Sequence, residues 1–236
     1  FKRLKKLGFK IVEKGNSFKG LINKKMLEEA CNISKSIKDN GLDNKQILKS
    51  EPEDYNLYEK LVKNEGQNFK KKFGDSPTVR IRKYLDGFIN NNEKLLSKDF
   101  SARGFTYLGR KLNSYTWACI AKKDKNSGKI EYKNNPQLYI GIQNDGLYFG
   151  FSYGDGEISS ESEVVRAIKD DYKTIESIIE ATKNIYGLEI RRRQSFDDVI
   201  DADADIINDM WSEDIRVNRH IPIGLIPDDI EAQIFE

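Results

Sequence analysis

Between residues 138 and 153 the chain alternates with the period of a β-strand. Leu138, Ile140 and Ile142 interleave with Tyr139, Gly141 and Gln143, as in a strand with one buried face. Asn144-Asp145-Gly146 follows, and Asp-Gly at its centre predicts a two-residue type I′ turn. On the return, Leu147, Phe149, Phe151 and Tyr153 share one face and Tyr148, Gly150 and Ser152 the other. Glycines inside strands mark a bulge or a close approach to the backbone. Further strands are expected near Phe105–Leu108, Tyr115–Lys122, Ile130–Lys133 and Leu188–Arg193.

Ahead of residue 100 the period is helical. Leu21, Ile22, Leu27, Cys31 and Ile33 predict a helix over 21–39 that stops at Asn40-Gly41. A turn or two of helix is expected over Asp43–Lys49. A longer helix is expected over Asp54–Phe73, with Gly66 as its weak point. Ser76-Pro77 supplies an N-cap and a first-turn proline for a helix carrying Ile81, Leu85, Phe88, Leu95 and Leu96 to about Asp99. After the hairpin, Ser160-Glu161-Ser162-Glu163 is a capping box, and a second helix over Tyr172–Tyr186 ends at Gly187. These two helices are expected to cover one sheet face. The class is therefore α+β: a helical N-terminal part (1–100), then a mainly antiparallel sheet covered by helices (101–195). An acidic segment and a punctuated linker carrying His220 follow (196–236).

Charge sharpens this picture. The net charge of +2 hides nine Lys or Arg against one acid in Phe1–Lys25, and eight acids with no base in Asp197–Asp214. This asymmetry suits a polyanion on one face, although solvated charge explains any single run as simply. Cys31 and Cys119 fall in no metal or redox spacing, so they are expected as reduced thiols in a cytoplasmic protein. No apolar run reaches membrane-spanning length. A start at Phe1 without methionine is expected of a piece of a longer protein.

One histidine makes imidazole-based triads and zinc sites poor candidates. No GxxxxGK[ST] loop is present. Asp124 with Glu131-Tyr132-Lys133 resembles the metal-binding core of restriction-type nucleases, in which two carboxylates hold the metal and a lysine steadies water. The same residues also read as a solvated turn. The richer set surrounds the hairpin. Arg103, Arg110, Lys111, Lys122 and Lys123 can neutralise phosphates. Tyr115, Trp117, Tyr139, Tyr148 and Tyr153 offer rings for base stacking, or equally a packed core.

The closing stretch IPIGLIPDDIEAQIFE resembles the linker and first helix that precede the Walker A loop of McrB-type AAA+ GTPases, the motor subunits of modification-dependent restriction systems. The strand Tyr115-Thr116-Trp117-Ala118 and the glycine- and aromatic-rich hairpin are similar to that family's DNA-binding domain. The resemblance implies recognition of modified, methylated double-stranded DNA, by flipping a base into an aromatic pocket. It implies no catalysis and no cofactor in this part. GTP and Mg²⁺, and contact with a nuclease subunit, are expected of a motor that follows. A protein-interaction module is the alternative of another class, and a metal-dependent nuclease the third.

Overall fold

The computed structural model describes residues 20–48, 50–92, 99–107, 111–130, 136–153, 189–192 and 215–234. Helix α1 (Lys24–Asp39) starts where the Asn23 side chain accepts the Met26 amide and ends at Asn40. Helix α2 (Pro52–Leu57) runs through a π-helical turn (Tyr58–Lys63) into α3 (Asn64–Phe73). The weak point of this rod is thus the π turn, not Gly66. Ser76 caps α4 (Pro77–Asn91) by accepting the Val79 amide, with Pro77 in the first turn. This helix ends at Asn91, short of the expected Asp99. Of the short helix expected over Asp43–Lys49, the described residues 43–48 form none. Their backbone bonds to Leu112 instead, through Asn44 N–H to Leu112 C=O and Leu112 N–H to Lys45 C=O.

Six strands form one antiparallel sheet: β1 (Phe100–Phe105), β2 (Thr116–Lys122), β3 (Pro136–Ile142), β4 (Gly146–Tyr153), β5 (Glu189–Arg192) and β6 (Ile215–Pro222). The order is β1-β2-β3-β4-β6-β5. Strand β1 replaces the expected Phe105–Leu108. Ile130 makes only an isolated bridge to Lys123, and Glu131–Lys133 lie outside the described residues. So do the two helices expected within 160–187 and the acidic segment Asp197–Asp214.

The alternation in the hairpin decides the two faces. Thr116, Ala118, Ile120, Ile140, Ile142, Leu147, Phe149 and Ile221 face the helices, α4 lying over β1 and β2 and α1 over β3 and β4. Helix and sheet residues share one core cluster, in which Met26, Leu27, Ile81, Ile142 and Leu147 are fully buried. No boundary at residue 100 divides that core. Its few polar groups are bonded within it: Tyr107 Oη donates to the Ala30 carbonyl at 2.7 Å, and the Thr78 and Thr116 hydroxyls meet at 2.5 Å. Gly104 lets α4 approach β1, since a Cβ there would stand 2.7 Å from Thr78 Cγ2.

The segment expected as a linker is structural. Strand β6 lies between β4 and β5, and beyond it Ile226 and Ile230 are buried in the helical core. The short helix α5 (Ile230–Gln233) is held by Tyr84, whose hydroxyl donates to the Glu231 carbonyl at 3.0 Å. The Glu231 carboxylate accepts the Gly20 amide, and Lys24 pairs with Asp228. Among the described residues no helix is long and apolar enough to cross a membrane.

The hairpin turn also differs from its forecast. Gln143 N–H donates to Gly146 C=O at 2.9 Å, so Asn144-Asp145 is the two-residue loop. Neither residue has a positive φ, which excludes type I′. Gly146 serves a different need, opening β4 where an added Cβ would overlap the Ile221 carbonyl oxygen.

Burial pushes the thiols of Cys31 and Cys119 up to about 12; the negative charges of Asp145 and Glu28 add to the rise at Cys31, while Arg103 partly offsets the rise at Cys119. Both are acids with raised values, so the neutral thiol is the folded form. The stability they contribute is present below about pH 9 and is lost as pH rises from there towards about 12. Iodoacetamide at pH 8 is expected to leave both unlabelled in the folded protein and to label both in urea. Rapid labelling without denaturant would contradict their burial.

Candidate nucleic-acid interface

The second sheet face, opposite α1 and α4, carries Trp117, Tyr139 and Tyr148 in register. One cross-strand row reads Phe105, Trp117, Gly141, Tyr148, His220, from β1 across to β6. The neighbouring row reads Arg103, Cys119, Tyr139, Gly150, Asn218. Within the first row the Phe105 and Trp117 rings stack at 4.0 Å and 9°. Tyr148 and His220 stack at 4.3 Å and 9°. Gly141 lies between the two pairs, adding no side chain next to the indole.

Arg103 completes the β1 end. Its side chain is exposed, and the guanidinium lies 4.9 Å from the Phe105 ring centroid, within cation–π range. Arg103, Phe105 and Trp117 therefore form a continuous cation–aromatic stack at the sheet edge. Tyr115, 44 % exposed, immediately precedes β2. A cation that reaches phosphate and rings that accept a base face are the two elements of sequence-tolerant nucleic-acid binding.

The other candidates divide. Tyr139 and Tyr148 are 7 % and 1 % exposed and form a second apolar cluster with Cys119, against which Phe105 and Trp117 pack. In this conformation they are core. Tyr153 ends β4 opposite Pro136, and its side chain lies outside the described residues, as does Arg110. Lys111 is exposed near the Thr116 end of β2, whereas Lys122 and Lys123 lie at the other end, about 20 Å away by strand rise. The five cations of the sequence reading are thus not one cluster, and among the described ones Arg103 adjoins the rings.

His220 is part of the sheet. Its Nε2 stands 3.6 Å from Asp145 Oδ2, the oxygen that accepts the Tyr148 hydroxyl at 2.5 Å. This set fastens the turn to β6. Asp124 is likewise committed: Oδ1 accepts the amides of Asn126 and Ser127, and the Ser127 contacts hold its carboxyl below the usual range. Its proposed nuclease partners Glu131 and Lys133 are outside the described residues. Among those described, no group of three His, Cys, Asp or Glu is placed to hold a metal.

The sequence reading missed Phe105. Its two-residue spacing from Arg103 was the available signal, because i and i+2 of a strand share a face.

No protein-family model matches this chain, and no curated protein shows significant similarity to it.

Proposed function

We propose that this chain is a DNA-recognition module without catalytic activity of its own, selecting a modified base in duplex DNA. The Arg103–Phe105–Trp117 stack at the β1 edge of the sheet, with an exposed cation over half-buried rings, carries the reading. Phosphate contact by Arg103 supplies affinity without sequence information. The rings supply a stacking platform for a base turned out of the duplex. The likeness of the final residues to the segment ahead of the motor in McrB-type GTPases supports a place in a restriction system, where GTP, Mg²⁺ and a nuclease subunit would belong to the motor.

The test is duplex binding across a salt series, for wild type and Arg103→Ala. The expected outcome is a steep fall of affinity with salt in the wild type. In the variant the slope of log affinity against log salt is lower in magnitude by about 1. An unchanged slope would remove Arg103 from the interface.

One observation favours a second reading. Leu138 and Phe151 pair across β3 and β4 and are 44 % and 38 % exposed, an apolar pair suited to a protein partner. Failure to bind duplex at low salt would select that reading.

A further inference from the structure

Strands β5 and β6 set two arginines directly opposite one another. Arg191 pairs with Arg216 in the antiparallel register, and Arg216 pairs in turn with Ser152 of β4. Ser152 shares its side of β4 with Tyr148 and Gly150. The pair therefore stands on the second face, the face of Arg103, Phe105 and Trp117, towards the opposite end of the sheet.

Directly opposite residues of an antiparallel pair carry their Cβ atoms about 5 Å apart, and like charges there are destabilising. Titration offers arginine no relief, because the guanidinium keeps its proton. The register positions around the pair are Ser152, Gly150, Asn218 and Glu189, and Glu189 is the one carboxylate among them. One negative charge against two positive ones leaves an excess that an anion from outside would balance.

The planar fork of a guanidinium matches phosphate oxygens in pairs. Strands β1 and β6 are four strand spacings apart, about 19 Å, so the Arg103 stack and the arginine pair do not share one phosphate. A nucleic-acid backbone repeats its charge along its length and supplies a phosphate to each. A single small anion does not.

We propose that Arg191 and Arg216 form a second phosphate-binding point for duplex DNA, at the end of the second face remote from Arg103. This rests on the DNA reading above and extends its interface across the sheet.

Arg191→Gln and Arg216→Gln each remove one charge. Duplex binding by the chain is measured across a salt series, and thermal unfolding at low salt without DNA. Each variant is expected to lower the magnitude of the slope of log affinity against log salt by about 1, and Arg216→Gln combined with Arg103→Ala by about 2. Relief of the like-charge pair is expected to leave the Tm unchanged or to raise it by up to about 4 °C. Weaker binding with undiminished stability distinguishes a ligand site from an internal ion pair. Arginines neutralised by Glu189, or by the acids of Asp197–Asp214 that lie between β5 and β6 in the chain, would lose stability on substitution. A Tm lowered in either variant would therefore overturn the site. So would an unchanged salt slope in either variant, while leaving the DNA reading in place. No duplex binding by the wild type would overturn both.

Discussion

Gly146→Ala is expected to destabilise the fold by about 3 kcal/mol and to lower the Tm by about 6–12 °C. A Cβ at this position would overlap the Ile221 carbonyl oxygen and stand 3.0 Å from both Ile221 C and His220 Nε2. Two of these three are backbone atoms, so no rotamer change relieves the overlap and β4 and β6 must separate. Gly146 pairs with Pro222 and Leu147 with Ile221, and Ile223 N–H donates to Asp145 C=O nearby. The strain therefore reaches the joint between hairpin, β6 and the C-terminal segment. Gly66→Ala is the control. It lies within α3 with nothing within 4 Å of the added Cβ, and is expected to stabilise by up to about 1 kcal/mol. Thermal melts of both variants check this; an unchanged Tm for Gly146→Ala would contradict the packing described for the turn.

Trp117→Ala is expected to weaken duplex binding about 5- to 150-fold, the effect of losing about 1–3 kcal/mol of base stacking. The indole lies between Phe105, stacked at 4.0 Å, and the position of Gly141. Removing it also leaves Phe105 and the guanidinium above it without lateral support. Trp117→Phe keeps a ring in the row and is expected to retain most of the affinity. Fluorescence anisotropy with a labelled duplex measures both, with circular dichroism to establish that each variant is folded. Full affinity in a folded Trp117→Ala variant would exclude this edge as the contact surface.

The sequence revealed the hairpin because Leu138, Ile140 and Ile142 alternate cleanly with residues of the second face, and because one face is thoroughly apolar. It revealed α1 and α4 through their periodicity and their Asn40-Gly41 and Ser76-Pro77 ends. It concealed β6. Arg216, Asn218 and His220 make the second-face side of that strand polar, and Pro222 and Gly224 close behind suggest a linker. The sheet buries Asn218 nonetheless. The short helix expected at Asp43–Lys49 failed for a tertiary reason, since pairing of its backbone with the Leu112 segment outweighed local propensity. At the candidate site, residue types pointed to Arg103 and Trp117. Only the register brings Phe105 between them and separates Lys122 from Lys111.

The most direct measurement is binding of the chain to matched duplexes carrying unmodified cytosine, 5-methylcytosine or N6-methyladenine, each across a salt series. The account predicts that affinity for all three falls with salt, while one modified duplex stays at least about tenfold tighter than the unmodified one at every salt concentration. Equal affinities throughout would contradict selection of a modified base, and no binding at low salt would contradict DNA recognition altogether.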